Sequence, residues 1–195
     1  MDLLLALLLL AAIAPLMAAI AVAVFAHDGG PAFFAHSRVG RGGARFKCLK
    51  FRSMCVDAEE RLSRHLAADP QAREEWRRSQ KLRNDPRVTP LGRFLRRSSL
   101  DELPQLINVV RGEMSLVGPR PIVEAEIANY GRRFPYYASV KPGITGLWQV
   151  GGRSDTPYRT RIALDSLYAR RRGLALDMSI LLRTVPVVLF RHGSC

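Results

Sequence analysis

The stretch "LLLALLLLAAIAPLMAAIAVAVFA", residues 3–26, contains no charged side chain. An apolar run of about 20 residues is long enough to cross the hydrocarbon core of a bilayer as a helix. Four basic residues follow it closely: Arg38, Arg41, Arg45 and Lys47. Basic residues beside a membrane segment favour the cytoplasmic side. The stretch therefore predicts a membrane-associated chain whose remaining residues lie in the cytoplasm.

Three interpretations of the apolar run compete. A cleaved signal peptide opens with positive charge, whereas Met1-Asp2 precedes this run, so that interpretation is disfavoured. A straight helix could span the bilayer. Pro15 allows a third path, because proline removes a helical hydrogen bond and leaves two arms of about 18 Å, each shorter than the ~30 Å hydrocarbon core. A helix broken at Pro15 would enter one leaflet and return to the same face. Proline also kinks helices that span, so the pattern fits both the straight and the re-entrant path.

The composition indicates an anionic partner and a reducing compartment. The chain has 30 Lys+Arg against 17 Asp+Glu, a formal net charge of +13. Such a surplus suits nucleic acid, an anionic lipid surface or a phosphorylated substrate. The three cysteines, Cys48, Cys55 and Cys195, are odd in number and lack CxxC spacing, which is typical of free thiols.

The rest of the chain predicts an α+β fold, a mostly helical small domain with a short β-hairpin. Two extended runs flank a glycine-rich turn at residues 40–43. Charged helices are expected from Asp57 to His65 and again after Pro70 through Asn84, with a short basic helix over residues 91–97. A further helix closes on Gly173, and an apolar segment follows it. We expect amphipathic helices that lie at the membrane interface. The predicted domains are a membrane helix at 1–27 and a cytoplasmic-face domain at 28–195.

Residues 96–121, "RRSSLDELPQLINVVRGEMSLVGPRP", place Asp101 and Glu102 among four arginines. One interpretation is a capping box that begins at Ser99. The other places the helix cap at Asp101, which puts Pro104 in the first turn, where its missing N–H costs nothing. In that case the helix dipole and nearby arginines would lower the pKa of Asp101 and keep it ionised as a nucleophile. The spacing is compatible with both interpretations.

An ionised carboxylate that attacks a phosphoryl group needs cations around the phosphates. Arg96, Arg120 and Arg153 could supply forked guanidinium donors, although each alone also fits an ordinary surface position. The four histidines are scattered and form no zinc motif with the cysteines. Carboxylates combined with substrate phosphates suit Mg²⁺.

Three segments carry a family resemblance: "FFAHSRVGRGGARFKCLKFRSM", "SLDELPQLINVVRGEMSLVGPRP" and "KPGITGLWQVGGR". In this order and spacing they closely resemble the bacterial sugar transferase family, monotopic phosphoglycosyl transferases that begin polysaccharide assembly. The resemblance covers essentially the whole chain. The C-terminal part is most similar to the subgroup that transfers galactose 1-phosphate or glucose 1-phosphate.

The resemblance implies a reaction between a UDP-sugar and undecaprenyl phosphate that releases UMP and uses Mg²⁺. It implies that Asp101 is the nucleophile, that it forms a covalent phosphosugar intermediate, and that Glu102 assists it. The positions matching phosphate-binding residues are Lys50, Arg96, Arg120 and Arg153. Asp177 matches a late acidic position, and Asp101, Glu102 and Asp177 are the expected metal ligands.

The resemblance also implies a location and a pathway. Pro15 matches the break of a re-entrant helix, which places the chain on the cytoplasmic face of the bacterial inner membrane as a monotopic protein in contact with anionic lipid. The reaction would be the first membrane step of O-antigen, exopolysaccharide or capsule synthesis. The resemblance allows a homodimer.

Two other classes of protein share part of this pattern. A non-catalytic membrane adaptor would share the fold without the chemistry. A nucleic-acid-binding protein would explain the charge of +13 but not the uncharged opening run, and the sequence shows no nucleic-acid-binding motif. We therefore expect no nucleic-acid partner.

Overall fold

The computed structural model describes residues 2–151 and 156–189, and most of these residues are helical. The helices are α1 (Asp2–Asp28), α2 (Ala58–Ala68), α3 (Pro70–Ser79), α4 (Pro90–Arg97), α5 (Gln105–Val110), α6 (Ile127–Tyr130), α7 (Phe134–Ala138), α8 (Leu147–Gly151), α9 (Tyr158–Arg171) and α10 (Leu174–Leu189). The strands are β1 (Phe33–Val39), β2 (Arg45–Phe51), β3 (Ser115–Val117) and β4 (Gly143–Thr145). The predicted mostly helical fold with a small sheet is confirmed.

The predicted hairpin is formed by β1 and β2. The two strands are antiparallel, and their register places Arg38 opposite Phe46 and Phe34 opposite Lys50. Residues that face each other across such a pair project from the same side of the sheet, and so do alternate residues of one strand. Arg38, Phe46 and Lys50 therefore share one face of the hairpin.

The charged helices form close to where the sequence predicts them, although α2 ends at Ala68 rather than His65 and the next helix is shorter than expected. Asp69 begins α3, because its carboxylate accepts hydrogen bonds from the backbone N–H groups of Gln71 and Ala72, and Pro70 occupies the first helical position. The expectation that this helix continues through Asn84 is wrong. It ends at Ser79, and Gln80 adopts a left-handed conformation (φ 53°) that terminates the helical path.

One face of α1 packs against the rest of the protein along the whole helix. The packed positions recur every three or four residues, as expected for one side of a helix. They are Ala6, Leu10, Ile13, Met17, Ile20 and Val24. The first part of α1 joins a core cluster with Leu106 and Ile180, and the later part joins a cluster with Phe51 and Leu95. Both halves of α1 therefore rest on the same domain.

The opposite face of α1 exposes large apolar side chains, including Leu4, Leu8 and Val22. By length and composition α1 could cross a membrane. Extensive exposed apolar surface marks a contact with lipid or with another protein. The helical backbone continues through Pro15, so the predicted break at this residue is not confirmed.

The parallel pair of β3 and β4 joins two loops that are distant in sequence. The N–H of Gly118 donates to the carbonyl of Thr145 at 2.8 Å, and the N–H of Gly143 donates to the carbonyl of Pro119 at 2.8 Å. A Cβ at Gly143 would lie 2.1 Å from the Gly118 nitrogen, so only glycine permits this approach. The pair thereby brings the segment carrying Arg120 beside the segment that leads into α8.

Candidate active site

Asp101 lies on a tight 3-10 turn, Leu100–Glu102, between α4 and α5. Both predicted helix starts are wrong at this point. The Ser99 side chain caps nothing, and its backbone is left-handed (φ 58°). Helix α5 begins at Gln105, directly after Pro104, whose missing N–H is harmless there. The turn, rather than a helix end, positions the carboxylate of Asp101, a residue that is only 7% exposed.

Lys50, from strand β2, links the two acids. Its Nζ lies 2.6 Å from Oε1 of Glu102 and 3.7 Å from Oδ2 of Asp101. Both contacts are partly shielded from water, which strengthens their electrostatic interaction relative to a surface pair. The predicted residues Lys50, Asp101 and Glu102 are therefore brought together by the packing of the hairpin against the 3-10 turn.

The direction predicted for the pKa of Asp101 is wrong. Burial raises this pKa above its ordinary value, the Lys50 charge opposes the rise, the neighbouring Glu102 adds to it, and Arg96 opposes it. The sequence displays the arginines, but it does not display the loss of water around the carboxyl group. Desolvation disfavours the charged form and here outweighs the cations.

Arg96, on α4, lies near Asp101 as the sequence predicted. Its Nε donates a hydrogen bond to Oγ of Ser53 at 2.8 Å, which fixes the guanidinium. Burial lowers the pKa of Arg96, while the charges of Asp101 and Asp85 raise it. Guanidinium groups stay protonated in proteins, so Arg96 contributes a fixed positive charge to the site.

A small cleft of about 40 Å³ opens beside this group. The residues that line it are Arg38, Cys48, Lys50, Glu102, Gln105, Arg120, Pro121, Gly143, Ile144 and Gln149. The cleft thus contains three of the predicted residues, Lys50, Glu102 and Arg120. Asp101 adjoins it through Lys50.

Arg38 is a functional candidate that the sequence reasoning missed. In the sequence it stands out only as part of the basic flank of the apolar run, whereas the hairpin register places it on the same face as Lys50. Within the described part of the chain Arg38 forms no ion pair, and its pKa is lowered first by burial and then by the charge of Arg120. Two guanidinium groups that share a cleft, neither of them ion-paired with a carboxylate of the described residues, suit a multiply charged anion such as a diphosphate.

Of the predicted phosphate-binding arginines Arg120 and Arg153, the structure describes Arg120. Arg120 is exposed, and its guanidinium carbon lies 5.8 Å from the ring centre of Trp148, which orients it over the cleft. Arg153 lies outside the described residues, so its role stays a prediction.

Asp177 lies in a different environment from the acid pair. The Tyr168 hydroxyl donates to its carboxylate at 2.8 Å and also contacts the carbonyl oxygen of Val117 at 3.0 Å. Burial raises the pKa of Asp177. In the portion of the chain that is described, no group of three or more His, Cys, Asp or Glu is arranged to hold a metal ion. Asp177 is therefore not brought together with Asp101 and Glu102, and its role as a ligand stays a prediction.

The Asp101–Glu102 pair by itself fits Mg²⁺ chemically. This ion prefers oxygen ligands and is commonly held by one or two carboxylates, with substrate phosphates and water completing its coordination. The cationic cleft lies beside the pair. Asp101 and Glu102 are the residues that would hold the ion.

Comparison with known proteins decides the family. A sequence profile of the family described as "Bacterial sugar transferase" matches residues 1–191. The chain belongs to the bacterial sugar transferase family. It is 54% identical over 181 residues to the "UDP-galactose-lipid carrier transferase" of Erwinia amylovora, covering 92% of this chain and 38% of that protein. It is 55% identical over 167 residues to the "Undecaprenyl-phosphate galactose phosphotransferase" of Salmonella typhimurium, covering 86% and 35%.

A third relative has nearly the same extent. The "Exopolysaccharide production protein ExoY" of Sinorhizobium fredii is 47% identical over 193 residues, which cover 99% of this chain and 85% of that protein. By contrast, this bacterial sugar transferase spans only between a third and two fifths of the length of the first two relatives.

Proposed function

We propose that the protein is a phosphoglycosyl transferase. It transfers galactose 1-phosphate or glucose 1-phosphate from a UDP-sugar to undecaprenyl phosphate and releases UMP, which begins the synthesis of an O-antigen, exopolysaccharide or capsule. Family membership supports the class of reaction, and two relatives are named for a galactose donor or a galactose phosphotransfer. The observation that carries the proposal is the buried Asp101 carboxylate, 3.7 Å from a lysine that lines a cationic cleft.

In the first step Oδ of Asp101 attacks the phosphorus that bears the sugar. A new bond forms between this oxygen and phosphorus, and the bond from phosphorus to the bridging oxygen of the diphosphate breaks. UMP leaves with that electron pair, and the sugar phosphate remains as an acyl phosphate on Asp101. Repulsion between the carboxylate and the diphosphate is offset by Lys50, Arg96 and the Arg38–Arg120 pair.

In the second step a phosphate oxygen of undecaprenyl phosphate attacks the same phosphorus. The bond to Asp101 breaks, the carboxylate is regenerated, and undecaprenyl diphosphate hexose leaves. Covalent catalysis of this kind divides one displacement between two anions into two easier ones. Glu102 holds Lys50 at 2.6 Å and so keeps its ammonium group directed at the reacting centre. Mg²⁺ bound by Asp101 and Glu102 would supply further charge neutralisation of the diphosphate.

The packing of α1 supports a re-entrant placement in the cytoplasmic leaflet of the inner membrane. Both halves of the helix rest on the same domain, and the Ser115 hydroxyl donates to the Asp2 carboxylate at 2.6 Å. A helix tethered at both ends in this way presents its apolar face to one leaflet and leaves both ends on one side. The surplus of basic residues would favour anionic lipid around it. A homodimer stays a prediction.

Trapping the intermediate tests the reaction. The purified full chain is incubated with UDP-galactose or UDP-glucose and Mg²⁺ in the absence of lipid. We expect stoichiometric release of UMP and a gain of one hexose phosphate at Asp101, detected by intact-protein and peptide mass spectrometry, which undecaprenyl phosphate then discharges. Asp101→Asn should gain no mass, and Asp165→Asn, a matched change of another buried aspartate, should still gain it.

Other outcomes distinguish the alternatives. Turnover of lipid without an adduct would mean direct attack by undecaprenyl phosphate on the nucleotide sugar. No UMP and no lipid product with any UDP-sugar would favour a non-catalytic adaptor. Strong, salt-dependent binding of DNA by the detergent-solubilised chain would favour a nucleic-acid-binding protein.

Labelling of single cysteines tests the placement of α1. The native cysteines of the protein are first replaced, and single cysteines are then introduced as Asp2→Cys and, at an exposed position, Val56→Cys. In sealed inner-membrane vesicles both cysteines should react with an impermeant maleimide from the same face. Labelling of the two positions from opposite faces would show that α1 spans the bilayer. Pro15→Leu provides the comparison, because it restores the helical hydrogen bond that proline removes; movement of position 2 to the opposite face would show that Pro15 sets the placement of α1.

A further inference from the structure

A buried side-chain atom at the cleft lacks a hydrogen-bond partner. It is Oε1 of Gln149, whose residue lines the same cleft as Lys50, Glu102 and Arg120. Within the described part of the chain, no group donates a hydrogen bond to this oxygen. Buried polar atoms in proteins are nearly always hydrogen-bonded, so an exception calls for an explanation, and a role at a functional site is one of them. The catalytic steps described above make no use of Gln149.

The backbone that carries Gln149 is firmly held. Trp148, the preceding residue, is 4% exposed, and the guanidinium carbons of Arg161 and Arg120 lie 4.6 Å and 5.8 Å from the centre of its ring. These contacts join α8 to Arg161 of α9 and to Arg120 of the cleft. The amide of Gln149 is therefore presented from a fixed position, as recognition of a defined ligand atom requires.

The amide oxygen itself is packed against glycine backbone. A Cβ added at Gly146 would lie 2.8 Å from Oε1 of Gln149 and 2.2 Å from the carbonyl oxygen of Gly118. Gly118 directly precedes the segment that carries Arg120, so the oxygen lies beside the phosphate-binding side of the cleft. The absence of a side chain at Gly146 leaves the space in which this oxygen rests.

The chemistry of the oxygen restricts its partner. An amide oxygen accepts hydrogen bonds and donates none, so the partner must carry an N–H or O–H group. The ionised oxygens of a diphosphate cannot serve. The hexose of the donor can, because it carries several hydroxyl groups and is attached through one oxygen to the phosphorus that Asp101 attacks.

We propose that Oε1 of Gln149 accepts a hydrogen bond from a hydroxyl group of the donor's hexose, which makes Gln149 a binding residue that determines sugar specificity. This inference rests on the proposed function. A site built to pair with a substrate hydroxyl rejects an analogue that lacks it, because the protein group is then left buried and unpaired. The arginines hold the phosphates of every UDP-sugar alike, and the neutral amide selects among the sugars.

A comparison of donors in two variants tests the proposal. The full chain and Gln149→Met, which keeps side-chain length but lacks the amide, are assayed with the parent UDP-hexose and with its 2-, 3-, 4- and 6-deoxy forms. In the parent protein we expect one deoxy donor to lose about 10- to 100-fold in kcat/KM. In Gln149→Met that donor and the parent donor should differ by less than about 3-fold, because the group that distinguished them is gone. Gln71→Met, the same change on the exposed surface of α3, should keep the parent selectivity.

The readouts separate the possible failures. Unchanged selectivity among deoxyhexose donors in Gln149→Met would overturn the proposal. It would also be overturned if the Gln149→Met substitution changed the discrimination only against donors modified in the nucleoside, namely 2′-deoxyuridine, 3′-deoxyuridine or N3-methyluridine donors, because Gln149 would then contact the uridine. Calorimetric affinities for the same donors give the same comparison without turnover. Absence of turnover would therefore overturn the proposed reaction, while the affinity ratios still decide the role of Gln149. If Gln149→Met does not fold, Gln149→Asn, which retracts the amide by one methylene, should show the same loss of selectivity.

Discussion

Asp101 and Asp165 are both buried, yet their surroundings differ. Asp101 is 7% exposed and lies among Lys50, Arg96 and Glu102 beside a cleft. Asp165, on α9, is 2% exposed, and the Tyr130 hydroxyl donates to its Oδ2 at 2.6 Å. Burial raises the pKa of both, to about 7 for Asp165, where the Tyr130 hydrogen bond and the Arg161 charge oppose the rise.

The different surroundings of these two aspartates show that a raised pKa does not by itself identify a catalytic carboxylate. Asp165 is enclosed by its own fold and ties α9 to α6, which suits a structural role. Asp101 is also desolvated, but Lys50, which lies 3.7 Å from it, lines a cleft together with Arg38 and Arg120. Access and neighbouring charge, rather than burial, separate the two roles.

The largest expected difference between Asp101 and Asp165 is the effect on activity of removing each carboxylate. We expect Asp101→Asn to lose sugar transfer by about 10⁴-fold or more, because the nucleophile is gone. Asp165→Asn should retain activity within a few fold, since Asn still accepts the Tyr130 hydrogen bond. Initial rates of UMP release and thermal unfolding of both variants check this. Equal losses of activity would mean that Asp165 also serves the reaction.

The cation beside Asp101 provides the next test. Lys50→Met should lower kcat/KM by about 10²- to 10³-fold, because a charge that faces both the carboxylate and the phosphates is lost. Since Lys50 lowers the pKa of Asp101, its removal should also move the acidic limb of the pH–rate profile to higher pH. The control is Lys47→Met, an exposed lysine on the same strand, which should match the parent. A profile unchanged in Lys50→Met would contradict the proposed coupling.

The pH dependence of stability sharpens the role assigned to Asp165. Its pKa is about 7 in the folded state, above the ordinary value of 3.8, so the folded state keeps a proton that the unfolded state releases. The contribution of the Asp165 carboxyl group to the free energy of unfolding is therefore fully present below about pH 4. It decreases as the pH rises to about 7, by at most about 4 kcal/mol in total. Asp165→Asn should lack this decline. Chemical denaturation between pH 4 and pH 8 measures it, and parallel curves would show that Asp165 is already ionised in the folded protein.

The smallest expected effect is the loss of stability when the hydrogen bond from Tyr130 to Asp165 is removed. Tyr130→Phe removes the donor to Asp165 and should destabilise the protein by about 1–3 kcal/mol, because a buried carboxyl group loses its partner. Transfer activity of the folded variant should stay near the parent value. Tyr136→Phe, at an exposed tyrosine, is the control. A large loss of activity in Tyr130→Phe at unchanged stability would place this hydrogen bond in the reaction rather than in the fold.

The sequence predicted much of the fold because the relevant signals are local. The alternating hairpin around glycine, the charged helices and the apolar run of α1 depend on neighbouring residues, and the structure has each of them. The boundaries that failed depended on distant packing. The start of α5 is an example, since a 3-10 turn held against the hairpin by Lys50 replaces the expected cap.

The sequence predicted the charged residues at the centre of the candidate site, but it did not predict all the residues that the fold brings there. Asp101, Glu102, Lys50 and Arg96 were singled out, and the structure brings them together. The hairpin register could have added Arg38, because a turn at residues 40–43 places it on the Lys50 face. No local pattern could have indicated the unpaired oxygen of Gln149.

By itself the sequence determined the apolar helix, the basic surplus and the pair of acids followed by proline, since these follow from residue type and spacing along the chain. Only the tertiary structure decided that Asp101 loses water, that Lys50 from the hairpin reaches it and that Asp165 does not face an opening. Hydration and Coulomb energy depend on every atom within several ångströms, and most of those atoms come from segments distant in sequence.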